Sequence, residues 1–357
     1  WGEVSTNGQV SGRRNIITNG AMNVAQRSAS VTGLGASSNY FTLDRWKTTF
    51  AASAGRLTMT QTSDGPSGFA NCIKLDCTTA DTSIAAGELL IMQHNLEGQD
   101  VQAIGKGVTG AKEVTLSFYV KANAAFDFVA ELHDQDNGRT NGRVFSTTTD
   151  WVRHELTFQA DVDDGSSPFD DDNAKSLAIN FWLHAGATYT GGTLASSWEN
   201  STSANRAAGI DSFYSSTDNN FFITGVQLEV GSVATPFEHR SYGEELALCQ
   251  RYFQVIGGDT TNDVFASGFT GANSFYGIGK LNGRMRLSPT ASLSGTNSHI
   301  NYTHVGVSAS ANASPTFSTN PLSFYFTIAS GTSTTSNAGS YIRSLNTSTK
   351  LHFDSEL

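Results

Sequence analysis

Three stretches of the chain set ring-bearing and ionisable side chains at alternate positions. In 114–121 the apolar Val114, Leu116, Phe118 and Val120 interleave with Tyr119 and Lys121. In 128–134 Phe128, Ala130 and Leu132 interleave with Glu131 and His133, and in 177–184 Leu177, Ile179, Phe181 and Leu183 interleave with Asn180, Trp182 and His184. A period of two is that of a strand with one buried face, so the second set in each stretch points away from the core. If the three strands share a sheet, its outer face carries aromatic rings, two imidazoles, a carboxylate, an amide and an ammonium. Flat rings against C–H faces, with polar groups for hydroxyls, are the chemistry of sugar contact. Tyr189 and Trp198, in the long loop 187–218, are further candidates for ligand contact. The competing reading is packing: a second layer, a partner subunit or the 187–218 loop would turn the same face, Trp182 included, into core.

Catalytic signatures are missing. No GxSxG, HExxH or P-loop pattern occurs, and the eight histidines show no ligand spacing. Asp161, Asp163, Asp164 and Asp170–Asp172 form an acidic stretch that could attract a cation, but solvated charge accounts for it better. The expectation is a protein that is not an enzyme, with neither catalytic nor metal-ligating residues. Cys72, Cys77 and Cys249 lack any CxxC spacing and read as buried free thiols.

The elements that must hold the candidate residues are strands. Gly is abundant at 35 residues and charged residues are only 15%, yet 22 Phe and 10 Tyr supply bulk for a core. Short alternating segments recur at 55–62, 71–76, 88–94, 113–121, 127–134, 151–158, 176–184 and 219–230, with 26–40 and 134–143 read as loops. That spacing predicts an all-β chain: a jelly-roll β-sandwich over 15–240 after a flexible lead-in at 1–14, a junction helix over 241–254, and a smaller C-terminal β-domain over 255–357. In the last domain 264–269, 275–281, 284–287, 291–294, 322–328 and 341–345 are the expected strands. Ser241, with Glu244 three residues on, fits a capping box for the helix. Glu238 and Arg240 are expected to pair, and Glu244, Glu245 and Arg251 to be helix-surface or subunit-interface charges. The net charge of −10 lies in the first 254 residues, which argues against nucleic acid and anionic membrane as partners. No apolar run has the length of a membrane-crossing helix. The opening at Trp1 rather than Met carries the expectation of a piece of a longer chain.

Two segments together resemble the carbohydrate-binding-module jelly rolls: NIITNGAMN (15–23) their opening strand and FFITGVQLEVG (221–231) their closing one. That resemblance implies a structural calcium held near the two strands. Here Asn23 stands where an acid is usual and Thr224-Gly225 replaces an aspartate pair, which weakens such a site. A longer run, GVQLEVGSVATPFEHRSYGEELALCQRYF (225–253), resembles virion proteins of tailed phages, tail fibres among them. Asp44-Arg45-Trp46 and RMRLSPT (284–290) fit the same pattern. It implies a virion appendage on the particle surface, commonly a homotrimer, that meets other virion proteins and host-surface polysaccharide. On that reading Leu246, Cys249, Tyr252 and Phe253 form the apolar face of the junction helix and are the candidate threefold contact. Three alternatives stand beside it: a decoration or tail component without glycan binding, a polysaccharide depolymerase, and the sugar-binding module of a secreted enzyme.

Overall fold

The computed structural model describes residues 13–162, 168–296, 299–304, 307–311, 313–329 and 338–357. The chain divides into two compact units, 1–245 with Leu357, and 246–356. The lead-in through residue 12, and Asp163 and Asp164 of the acidic stretch, lie outside the described residues.

The first unit is a two-sheet sandwich. In chain order its strands are β1 (Ser30–Leu34), β2 (Asn39–Tyr40), β3 (Trp46–Ala51), β4 (Arg56–Thr62), β5 (Cys72–Thr79), β6 (Leu89–Glu97), β7 (Val114–Ala122), β8 (Asp127–Asp134), β9 (Arg139–Ser146), β10 (Val152–Phe158), β11 (Lys175–Ala185), β12 (Glu199–Asn200) and β13 (Asn220–Val230). A six-stranded sheet runs β1-β4-β5-β13-β7-β10, and a seven-stranded sheet runs β12-β9-β8-β11-β6-β3-β2, with antiparallel pairing throughout. The alternation read from the sequence fills the space between them. Val114, Leu116, Phe118 and Val120 of β7, Phe128, Ala130 and Leu132 of β8, and Leu177, Ile179, Phe181 and Leu183 of β11 all join one buried cluster. Phe118 and Phe181 meet edge-to-face across it at 5.0 Å. Burial pushes the Cys72 thiol up to about 12 and that of Cys77 to about 11, so both stay protonated and inert.

Several local expectations are corrected. Segment 26–40 contains β1 and β2, and 134–143 contains most of β9. NIITNGAMN forms no ladder strand. Asn19 turns at φ 59°, its amide bridges the carbonyls of Val24 (2.8 Å) and Asp44 (2.9 Å), and its own carbonyl accepts from Trp46 Nε1 at 3.0 Å. The Asn-Gly turn and the Asp-Arg-Trp cluster thus meet. Glu238 accepts from the backbone of Arg14 and Asn15, both at 2.7 Å, instead of pairing with Arg240. Arg240 pairs with Glu245 at 3.3 Å, and Glu245 is buried, taking the Asn19 N–H at 2.6 Å. Ser241 does accept the Glu244 N–H at 3.3 Å, but the Glu244 carboxylate goes to Arg13.

The helix spans Tyr242–Gln250, two residues short of Tyr252, and Phe253 opens a strand. The helix stops because the β-forming run Phe253–Ile256 is claimed by a sheet. Cys249, Tyr252 and Phe253 are buried within the single chain and Leu246 is half-buried, so this set is not a free face for a threefold contact. The second unit has a three-stranded and a seven-stranded sheet. Its strands are β14 (Phe253–Ile256), β15 (Val264–Thr270), β16 (Ser274–Lys280), β17 (Thr290–Ser294), β18 (Ile300–His304), β19 (Val307–Ser310), β20 (Thr316–Asn320), β21 (Ser323–Ala329), β22 (Gly339–Ser344) and β23 (Lys350–Asp354). They are ordered β14-β23-β17 and β19-β18-β22-β15-β16-β21-β20. The expected strand 284–287 is irregular. Phe275, Phe324, Phe326, Ile342 and Phe353 make up much of the core. Among the described residues no helix is long and apolar enough to cross a membrane.

Candidate functional site

The nine candidate contact residues fall on two different surfaces. β8 and β11 are neighbours, with Asn180 opposite Glu131 and Ala178 opposite His133. β7 belongs to the other sheet, so Tyr119 and Lys121 are on the far side of the sandwich from Glu131 and Trp182. One shared face of three strands does not exist.

The outer face of the seven-stranded sheet is covered. The segment 186–212 crosses it, adding β12 at the edge beside β9 and placing Ala207 and Tyr189 over Trp182. Arg206 seats both arms on the Glu131 carboxylate, at 2.7 Å and 2.8 Å, with its guanidinium 5.0 Å from the Trp182 ring. Tyr189 meets the same indole at 5.3 Å. Glu131 accepts further bonds from Trp182 Nε1 (2.8 Å), Asn180 Nδ2 (2.8 Å) and the Thr140 hydroxyl. Gln93 donates to Asn180 at 2.7 Å. His184 lies between Ser212 (2.8 Å) and Glu88 (3.2 Å). Glu131, Asn180, Trp182 and His184 are therefore buried, not presented to a ligand. Burial by itself would raise the Glu131 carboxyl, but the hydrogen bonds and charge of Arg206 overcome it and hold it at about 2. Burial and then the Arg206 charge lower half-buried His133 to about 4. Half-buried Trp198 donates to the Gln159 carbonyl at 2.9 Å and packs on the main core. This is a saturated polar network, and Arg206 is the residue the sequence reading missed. Its signal was available: it is the single cation in 187–218.

The outer face of the six-stranded sheet is covered at one end, where the segment after β13 buries Gln227, Glu229, Thr115 and Ser117 and Thr235 donates to the Glu229 carboxylate, and open at the other. Register places Lys74, Phe222 and Lys121 side by side across β5, β13 and β7, and Thr224, Tyr119 and Arg153 in the next row across β13, β7 and β10. Lys121 Nζ lies 4.7 Å from the Phe222 ring and 5.3 Å from that of Trp151, and the two rings meet edge-on at 6.2 Å. Beside them Phe69 touches Tyr119 (5.3 Å), Phe237 (5.0 Å) and His239 (5.1 Å). A bulge in β13 makes room for this second group. Gly225 sits at φ 63°, and a Cβ there would lie 2.7 Å from Phe69 and 2.9 Å from Tyr119. Tyr119, Trp151, Phe69 and Phe237 are half-exposed and His239 is exposed. The charges pair among themselves: Lys121 with Asp64 (2.7 Å), Lys74 with Asp76 (2.9 Å) and Arg153 with Glu155. The face thus combines rings, balanced ion pairs and hydroxyls. Tyr119 and Lys121 were legible in the sequence; Phe69, Trp151, Phe222 and Phe237 were not, since their proximity depends on strand order.

The positions bearing on a calcium site do not fit one. Asn23 Oδ1 accepts from Asn71 at 3.0 Å, and the Thr224 hydroxyl donates to the Asn71 carbonyl at 2.8 Å. Ca²⁺ takes six to eight hard oxygens, carboxylates prominent among them. Among the described residues no three His, Cys, Asp or Glu side chains gather in a metal-holding group.

No protein-family model matches the chain, and no curated protein matches it by sequence. Solved structures that the chain matches in part include a family 11 carbohydrate-binding module from a cellulosomal cellulase of Clostridium thermocellum, 14% identical over 59% of this chain and 99% of that one, TM-score 0.28. A xylan-binding domain from Paenibacillus barcinonensis is 11% identical over 63% of this chain and 100% of its own, TM-score 0.29. The enzymatically active domain of tailspike protein 4 of bacteriophage CBA120 is 12% identical over 60% of this chain and 21% of that one, TM-score 0.30. The class the fold defines is an all-β, jelly-roll β-sandwich protein with a second, smaller β-unit.

Proposed function

We propose that this chain is a non-catalytic phage virion appendage that attaches to host-surface polysaccharide through the outer face of its six-stranded sheet. It acts at the particle surface, as a homotrimer joined to other virion proteins. The observation that carries the attachment reading is the half-exposed ring group Tyr119, Trp151, Phe69 and Phe237 set among paired charges. Rings of this kind suit the C–H faces of sugars, and the ion pairs offer donors and acceptors to hydroxyls. Three cations against three acids leave no surplus charge on the face, so a neutral polysaccharide suits it better than an anionic one. The virion part rests on the sequence resemblance of 225–253.

The test is a neutral-glycan array followed by titration of any hit. Trp151→Ala and Tyr119→Ala should each weaken binding by up to about tenfold and leave the thermal midpoint within a few degrees. An array with no hit favours the decoration-protein alternative. Binding that survives both substitutions removes this face from the reading, and release of sugar fragments on incubation would make the protein a depolymerase.

A further inference from the structure

The second unit presents an apolar face that the first does not. Of the fourteen exposed large hydrophobic residues among the described residues, eight lie between 246 and 356, under a third of the chain. Register gathers four of these eight on one side of the seven-stranded sheet. Tyr341, Ser267, Ile278, Tyr325 and Ser318 form one row across β22, β15, β16, β21 and β20. Phe269, Tyr276, Thr327 and Thr316 form the next, with Phe269 and Tyr276 stacked at 5.2 Å and 23°. Ile278 is 61% exposed and Phe269 46%. The inner side of the same strands is the core of the unit, so these side chains have no packing role within it.

We infer that this sheet face is the surface through which copies of the chain associate with one another. Three observations select a second copy as the occupant. The two rows contain no charged residue, and Lys280 and Arg343 lie in the adjoining rows of the same side, so the rows can meet their own image with those two charges at the rim. The charge of the chain is segregated: 246–356 sums to +2, from six bases against four acids, whereas the remainder sums to −12. Two copies therefore repel most strongly through their first units and least through their second. Size also fits. The five strands that carry the rows, at roughly 4.8 Å and each about 20 Å long, give ~480 Å² a side and ~1,000 Å² for a pair, the threshold of a specific interface. The inference deepens the assembly part of the proposed function and is independent of its glycan part.

Light scattering on a sizing column, with the 357-residue chain, decides it. The wild type should have a mass that is a multiple of 38.0 kDa. Ile278→Lys with Tyr325→Lys should weaken association on the order of a hundredfold and elute near 38.0 kDa with an unchanged far-ultraviolet dichroism spectrum. Where the lysine pair disturbs that spectrum, Phe269→Thr with Tyr325→Thr, which keeps β-forming residues, carries the test. A wild type that stays at 38.0 kDa up to about 100 μM, where an interface of this size would show, overturns the inference. So does an oligomer that survives a folded variant pair. A dimer dispersed by the substitutions supports the surface while ending the threefold part of the functional proposal, and loss of glycan binding in a still-oligomeric sample ends the glycan part alone.

Discussion

Replacing Arg206 by Met should cost the first unit about 3 kcal/mol, through a carboxylate 75 residues away. Glu131 is fully buried, and Arg206 supplies both its counter-charge and two of its hydrogen bonds. Breaking a buried pair by removing one partner costs roughly 3–5 kcal/mol, because the other charge is left uncompensated. The lower end applies because Trp182, Asn180 and Thr140 still donate to the carboxylate. For a domain of this size about 3 kcal/mol corresponds to a fall of roughly 6–12 °C in the melting midpoint. The deficit should also depend on pH in a particular direction. With Arg206 in place the carboxyl is held at about 2; without it, burial is opposed by less and the folded-state value climbs. A neutral acid needs no counter-charge, so the deficit should be largest near pH 7 and shrink as Glu131 takes up its proton. Urea denaturation followed by tryptophan fluorescence across pH 5–8 reads this out, with Trp182 reporting from 5.0 Å away. Adding Glu131→Gln to Arg206→Met should recover most of the loss. A single Arg206→Met variant within about 1 kcal/mol of wild type, equally so at every pH, would refute the reasoning, as would a double variant no better than the single.

Acid should weaken the first unit well above the carboxylate range. His133 is held at about 4, and burial lowers His94, His154 and His184 as well. Between an unfolded value near ~6.5 and these folded values the unfolded chain binds more protons, so stability must fall as pH drops through that window, and Glu131 adds to the loss between ~4.3 and about 2. A urea midpoint that stays level from pH 7 to pH 4.5 contradicts this. Gly225→Val forces a side chain into a left-handed backbone position and into Phe69, and should cost about 2 kcal/mol or more; thermal denaturation measures it, and an unshifted midpoint would mean the bulge relaxes. Gly279→Ala places a Cβ 2.1 Å from the Phe324 ring and should lower the melting of the second unit alone by ~1–3 kcal/mol. Calorimetry separates the two units, and a shift confined to the first would count against that account.

What could be read from the sequence was local. Alternation placed the inward residues of β7, β8 and β11 correctly because a strand's period does not depend on its neighbours. It could not say that β7 and β8, consecutive in the chain, belong to opposite sheets, since that is a matter of topology. β9 was hidden for a related reason. Thr140 and Asn141 read as loop residues, yet they are buried, with Thr140 bonded to Glu131 under a segment some sixty residues further on. Glu245 reads as a helix-surface or interface charge, but helical position predicts exposure only when nothing else docks there. The Asn19 N–H, 226 residues away, does. Glu131, Asn180 and His184 escape the alternation while the inward apolar residues of the same strands follow it, because an apolar side chain needs only to be inside, whereas a buried polar one needs a particular partner.

The same difference explains why the two outer faces of one sandwich end differently. A carboxylate at the centre of a sheet face can remain charged under a covering layer only if that layer brings a cation and enough donors. Segment 186–212 brings Arg206, and the strands supply Trp182, Asn180 and Thr140, so covering the face completes the network. On the opposite sheet each charge has its partner nearby, Lys74 with Asp76 on the same strand and Lys121 with Asp64 on the loop beside it. A covering layer lies only over the far end of that face, where Thr235 bonds the buried Glu229, and at the open end Tyr119 and Trp151 keep part of their area exposed. A face that is electrostatically complete while its aromatic surface is still partly in water is one where a ligand gains by covering rings and need not compensate a charge. For that reason the six-stranded sheet, not the one bearing Trp182, is where substitutions should change binding without changing stability.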